Sequence, residues 1–205
     1  MRTQSTGTDR DNAVREDRVR DIFRQTAVSI NEICEGPYLA QLIRAVDVLT
    51  EAFQSGRKLL VFGNGGSSAD AQHICAELVG RFARERAGLP AMALSTDPSI
   101  LTSLGNDYGF AAIFERQIEA HGKPGDVAWG ISTSGNSPNV VRGLEKANQA
   151  GMKTIGLTGI GGGKLARFCD VLLAVPLRET PRIQELHLLT YHAICGAVEA
   201  ALFGL

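Results

Sequence analysis

The sequence predicts an α/β fold: a doubly wound, flavodoxin-like parallel sheet of five strands flanked by helices, with further helices ahead of it. Three observations carry that prediction. Five apolar runs of strand length recur after Lys58, namely LLVF (59–62), AMAL (91–94), VAWGI (127–131), TIGL (154–157) and VLLAV (171–175). None alternates cleanly between apolar and polar, as is expected of strands buried on both faces. Helical stretches at 69–82, 110–121, 138–150, 163–168 and 182–203 separate them, and strand alternating with helix implies right-handed crossovers in a parallel sheet.

Taken in order, residues 1–12 (MRTQSTGTDRDN) are polar and lack the apolar core of a signal peptide, so a flexible tail is expected. Residues 13–33 place Val19, Ile22, Phe23, Ala27, Ile30 and Ile33 at helical spacing, with charged residues on the other face. Gly36-Pro37 stops that helix. A second carries Leu39, Leu42, Ile43, Val46, Leu49 and Phe53 on one stripe and ends at Ser55-Gly56. Such helices must cover either the domain's own flank or a partner subunit. Residues 13–205 therefore read as one domain, with N-terminal helices over 13–55 and an α/β core over 57–205.

The totals agree. A chain of 205 residues suits one domain with a proper core, and a mean hydropathy of -0.01 is ordinary for a globular protein. A net charge of -1 and a pI near 6.4 argue against a general nucleic-acid partner, which needs a basic face. No apolar run approaches the roughly 20 residues that span a bilayer, so no membrane partner is expected. Cys34, Cys75, Cys169 and Cys195 are scattered without a CxxC pair, which points to free thiols in a reducing cytoplasm.

In parallel sheets ligands sit beyond the carboxyl ends of the strands, here the loops Gly63–Ser68, Ser95–Pro98, Ser132–Ser137 and Thr158–Gly163. The first, GNGGSS, fails as a dinucleotide fingerprint: Ser68 stands at the third glycine position, and no acidic residue ends the next strand. It is either a tight turn that needs glycine torsions or a place where backbone N–H groups and Ser67 hold a sugar or phosphate. The loop STSGNS is a stronger signal. Four hydroxyls, a flexible glycine and a helix start at Pro138, with Ser137 as its cap, make a phosphate cradle without Lys or Arg. TGIGGGK fails as a P-loop, because it lacks the leading glycine and Leu165 stands where Ser or Thr should hold magnesium.

His73 and Glu77 are four residues apart on one helix, the geometry that lets two side chains grip one metal, although such a pair is more often a surface hydrogen bond. Of the other histidines, His121 precedes a turn, His187 has no evident role, and His192 lies in the C-terminal helix.

Five segments, GNGGSSADAQH with a Glu four residues on, SLGNDYGF, GDVAWGISTSGNS, TGIGGGKLA and RIQELHLLTYH, occur in the right order over roughly residues 35–203. Together they resemble the phosphoheptose isomerase family of sugar isomerase (SIS) domain enzymes, which convert sedoheptulose 7-phosphate to a heptose 7-phosphate. The resemblance implies a zinc set of His73, Glu77, Gln184 and His192, with Glu77 and His192 as the acid–base pair. It implies substrate contacts from Asn64, Gly65, Gly66, Glu77, Asn106, Asp107, Ser132, Thr133, Ser134, Ser137 and Gln184. It also implies a homotetramer with sites shared between subunits, and lipopolysaccharide heptose as the end of the pathway.

These residue types suit the chemistry. Moving a carbonyl from C2 to C1 needs a base for a carbon-bound proton, a shuttle for oxygen-bound protons and stabilisation of an enediolate. On a continuous helix Gln184 and His192, eight residues apart, are separated by a rise of about 12 Å. Either they come from different subunits at each site or Gln184 mainly binds substrate. The chain departs from the family at Pro181, where an Asp is common; Thr180 as cap and Pro181 as first residue would start the helix well. Two rivals share the fold. One is the non-catalytic replication-initiator-associating relative, similar at Thr96-Asp97 and in LTxxxxC (189–195) but without the metal and acid–base residues. The other is a sugar-phosphate-sensing regulator, which no DNA-binding segment here supports.

Overall fold

In the computed structural model, which describes residues 7–204, the strands β1 (Leu59–Gly63), β2 (Ala91–Ala93), β3 (Val127–Ser132), β4 (Lys153–Thr158) and β5 (Val171–Ala174) form one sheet in the order β2-β1-β3-β4-β5. Every neighbouring pair is parallel. Because side chains alternate across a strand, Leu59 and Val61 enter one core and Leu60 and Phe62 the other. The first core is covered by α2 (Tyr38–Gln54), α3 (Gly66–Val79) and α7 (Thr180–Phe203); the second by α5 (Ile113–His121) and α6 (Pro138–Gln149). The chain leaves β1 for β2 on one side and returns to β3 on the other. The loops after β1 and β3 therefore flank the point where strand order reverses, the place such sheets bind ligands.

Several elements differ from the sequence reading. Helix α1 spans Gly7–Glu35, so residues 7–12, expected in the tail, are helical, while residues 1–6 lie outside the described residues. A helix already nucleated can extend through polar residues, which hydrophobic spacing cannot detect. Helix α3 begins three residues early, because Gly65 at φ 55° turns the chain straight out of β1. Helix α4 (Pro98–Tyr108) was not expected: none of its residues is buried, and Thr102, Ser103, Gly105 and Asn106 are weak helix formers. It is started by Asp97, whose carboxylate accepts the Ile100 N–H at 3.0 Å, with Pro98 behind it. Helix α7 starts at Thr180 with Glu179, not Thr180, at the cap position. At 24 residues, with a mean hydropathy of 1.3 over its best window, α7 does reach the length and composition of a spanning helix. It packs in the first core instead, through Ile183, Leu186, Tyr191, Ile194 and Val198.

Candidate active site

The turn out of β1 positions the first group of residues. Asn64 accepts the Ser67 N–H at 3.0 Å through its carbonyl, and its side-chain amide pairs with that of Asn139 at the start of α6. Gly66 opens α3, and a Cβ there would lie 2.3 Å from Gln184 Nε2. Only glycine lets the amide of α7 come that close.

Two turns further along α3, three donors converge. His73 Nε2 is 3.0 Å from Glu77 Oε1 and 3.4 Å from His192 Nε2, and the ligand atoms of all three lie within 4.8 Å of one another. Two nitrogens each about 2.05 Å from a tetrahedral zinc would stand about 3.3 Å apart, so the imidazole pair has the spacing of one edge of such a site. The donors fit that metal chemically as well: two imidazoles and a carboxylate, all partly exposed. His73 Nδ1 is 3.0 Å from the Tyr191 hydroxyl; were Nε2 to hold a metal, Nδ1 would carry the proton and donate it to that hydroxyl. Asp70 stands beside that hydroxyl; burial raises the Asp70 carboxyl to about 6, and the charge of His73 opposes the rise. Burial first, and then Asp70, raises the phenol of Tyr191. Tyr191 also stacks edge-on with both His73 and His192. A buried group that holds the second nitrogen of a metal-ligand histidine fixes its tautomer and ring plane.

Beyond β3, Ser132 Oγ and Ser137 Oγ are 3.0 Å apart. Ser137 stands at the cap position of α6, but its hydroxyl faces Ser132 and makes no capping bond, contrary to the sequence expectation. The first N–H groups of α6 and the hydroxyls of Thr133 and Ser134 share this loop. Gly135, at φ 65°, packs so tightly on the loop after β4 that a Cβ would meet Gly162 O at 2.1 Å. Asn136 Oδ1 accepts the Lys164 N–H there at 3.1 Å. The glycine-rich stretch that fails as a P-loop thus buttresses the hydroxyl loop.

Other predicted site residues are placed differently. Asn106 and Asp107 lie exposed in the last turns of α4, the Asn106 amide donating to Asp107 at 2.8 Å. Gln184 and His192 lie on one continuous helix. His192 joins His73 and Glu77 within one chain, whereas Gln184 packs on Gly66, about two helical turns away.

Sequence reasoning missed Tyr191, Asp70 and Asn139, which read as core or surface positions. It also missed a strap after α3. Glu199 on α7, 3% exposed, accepts the N–H groups of Phe82, Ala83 and Arg84, each at 3.0 Å, and Arg86 Nε at 3.1 Å. Arg86 in turn donates to the carbonyls of Glu77 and Leu78, capping the end of α3. The strap holds the Phe82 ring 5.8 Å from that of His192. Its one sequence signal is a lone Glu in an otherwise apolar helical stretch, AICGAVEAALF.

Known proteins resemble this chain in sequence and in fold. The SIS domain family matches residues 23–159. The phosphoheptose isomerase of Aquifex aeolicus is 54% identical over 183 residues, covering 89% of this chain and 95% of that protein. The solved phosphoheptose isomerase of Neisseria gonorrhoeae superposes with a TM-score of 0.85 at 41% identity, over 90% of this chain and 98% of that one. That of Francisella tularensis gives 0.83 at 36% identity, over 89% and 96%. Fold and site together define a SIS-domain enzyme of the sugar-phosphate isomerase class. The chain belongs to the phosphoheptose isomerase family.

Proposed function

We propose that this enzyme interconverts D-sedoheptulose 7-phosphate and D-glycero-D-manno-heptose 7-phosphate by proton transfer through an enediolate. One observation carries the reading: His73, Glu77 and His192 converge to within 4.8 Å of one another, on the helix that leaves the β1 turn and on α7 beside it. Glu77 takes the proton from the carbon beside the carbonyl, and His192 moves protons between the substrate oxygens. His73, Glu77 and His192 would hold a zinc ion, which supplies Lewis-acid polarisation of the carbonyl when bound. Ser132, Thr133, Ser134 and Ser137, with the first N–H groups of α6, grip the remote phosphate and set the register of the reacting carbon. Asn64, Gly65 and Gly66 hold the sugar, and Gln184, resting on Gly66, serves the substrate there rather than the metal. Asn106 and Asp107, exposed on α4, complete the substrate set.

The homotetramer with shared sites belongs to the same proposal. Its support is the exposed apolar face of α1, with Val19, Phe23 and Val28 all more than half exposed, and the exposure of Asn106 and Asp107 on α4. Four free thiols accord with a cytoplasmic location.

The non-catalytic binding relative is the alternative. The test incubates purified protein, zinc supplied, with sedoheptulose 7-phosphate and follows aldose formation beside Glu77→Gln and His192→Ala. Turnover by the wild type with a loss of at least about 100-fold in each variant supports the enzyme. No wild-type turnover would replace it with the binding module.

A further inference from the structure

We propose that Asn139 is a positioning residue whose amide pair with Asn64 locks the sugar turn to the phosphate loop, holding the two ends of one substrate at a set separation. This rests on the sugar-phosphate reading of the site.

Asn139 is 2% exposed, one residue past Pro138 in the first turn of α6. Its Nδ2 donates to Asn64 Oδ1 at 2.8 Å, and its Oδ1 accepts from Asn64 Nδ2 at 2.9 Å. The same Oδ1 also accepts the Val140 N–H at 3.0 Å. Two amides paired in both directions form a closed ring, and removal of either side chain strands a donor and an acceptor of the other. A position that only filled space beside Val140 and Val141 would be served by an apolar residue, since a buried amide is costly without partners.

The location gives the ring its consequence. Strands β1 and β3 are neighbours with Gly63 level with Ile131, so Asn64 and the residues after Ser132 emerge side by side. Each loop is otherwise closed on itself, through Ser67 N–H to Asn64 O and through Gly135 N–H to Ser132 O. Among the described residues no other side-chain hydrogen bond joins the β1 turn to the Ser132–Asn139 segment. Without the clasp each loop keeps its own shape, but their mutual placement loses its side-chain tie. Asn64 retains one N–H and free acceptor capacity for a ligand hydroxyl, with its amide plane set by Asn139. A proton transfer from carbon depends on that placement far more than phosphate binding does, because small displacements at the reacting atom cost orders of magnitude in rate.

The experiment compares wild type, Asn64→Ala, Asn139→Ala and the double variant. It reads calorimetric binding of sedoheptulose 7-phosphate and of inorganic phosphate, together with turnover. Asn139→Ala should lower kcat/KM about tenfold or more and weaken sugar-phosphate binding, with phosphate affinity within about twofold of wild type. The double variant should be no worse than Asn64→Ala alone, as for two residues acting through one interaction. The proposal is overturned if Asn139→Ala matches wild type on the sugar phosphate. Equal loss of both ligands, or additive effects of the two substitutions, would also overturn it. Should the alanine variant not fold, Asn139→Asp, which keeps the size and the Val140 bond but cannot donate to Asn64, is read by the same split. Wild type that binds sedoheptulose 7-phosphate but does not turn it over sinks the isomerase reading alone, and the binding arm then decides the clasp. Wild type that binds neither ligand overturns both.

Discussion

Glu199→Ala should destabilise the protein severely, although Glu199 lies more than a full helical turn beyond His192. The carboxylate is buried with Arg86, whose side chain is 2% exposed, and it also takes three backbone N–H groups of the strap. Truncation leaves the Arg86 charge without its carboxylate and three backbone N–H groups without their acceptor. Breaking a buried pair by removing one partner costs about 3–5 kcal/mol. For a chain of this size each kcal/mol moves Tm by about 2–4 °C, so a fall of roughly 6–20 °C is expected by calorimetry at neutral pH. Arg86→Met with Glu199→Ala should recover part of the loss, because the stranded charge goes while the three N–H groups stay unpaired.

The pH dependence supplies an independent arm. Burial alone would raise the Glu199 carboxyl, but the strap N–H groups and Arg86 outweigh it and hold it below the ordinary 4.5. A depressed acid contributes stability that is fully present above its unfolded pKa and lost as pH falls through its folded one. The Tm gap between wild type and Glu199→Ala should therefore be constant above about pH 5 and narrow below 4.5. A gap under about 3 °C at neutral pH, or one that widens in acid, would refute the reasoning.

Three further outcomes follow from the same geometry. Gly66→Ala sets a Cβ 2.3 Å from the end of the flexible Gln184 side chain, so Gln184 should swing away. KM for the sugar phosphate is expected to rise about tenfold, with Tm within about 2 °C of wild type; an unchanged KM would remove Gln184 from the substrate side. Tyr191→Phe deletes the hydroxyl partner of His73 Nδ1 and should weaken zinc binding about 10–100-fold in a chelator competition, while the fold persists. His187 is fully buried beside the Thr158 backbone, and burial pushes its pKa from 6.5 down to about 4. Below pH 6.5 the unfolded chain takes a proton that the folded one refuses, so the stability of wild type relative to His187→Gln should fall by about 3 kcal/mol between pH 7 and 4. Denaturant melts that show no pH dependence in this difference would contradict it.

What the sequence made legible followed from burial. All five strands appear within two residues of their expected bounds, because central parallel strands must be apolar on both faces and few other short segments are. Helix α4 escaped since it buries nothing, and the start of α1 escaped because GTDRDN has no apolar residue to show a helical period. At the site, His73 and Glu77 were visible as a pair four residues apart on one helix and His192 only through the family resemblance, and the structure brings the three together. Tyr191 was not visible, because a tyrosine inside LLTYHAIC reads as core packing; its role comes from a single hydroxyl on a neighbouring helix. Asn139 was hidden for a similar reason. An Asn after Ser-Pro at a helix start suggests a capping residue, and only the register of β1 beside β3 shows which amide it meets.

The arrangement of α3 and α7 explains how one chain can carry both ends of the cleft. From Gly66 to His73 is seven residues and from Gln184 to His192 eight, rises of about 10 and 12 Å on straight helices. Gln184 meets Gly66, while Tyr191 and His192 meet His73, so the two helices run side by side in the same direction with matched spacing. The sugar end and the proton-transfer end are thereby held apart by about two helical turns. The strap from Glu199 to Phe82, Ala83, Arg84 and Arg86 ties the far end of α3 to the same helix. A rotation of α7 about its own axis would withdraw Gln184, Tyr191, His192 and Glu199 together. The buried pair at Glu199 thus bears on the site as well as on stability: Arg86→Met with Glu199→Ala should raise the zinc dissociation constant along with lowering Tm, even though neither residue is a ligand. Should that double variant bind zinc as the wild type does in the chelator competition, α3 and α7 are aligned by core packing alone.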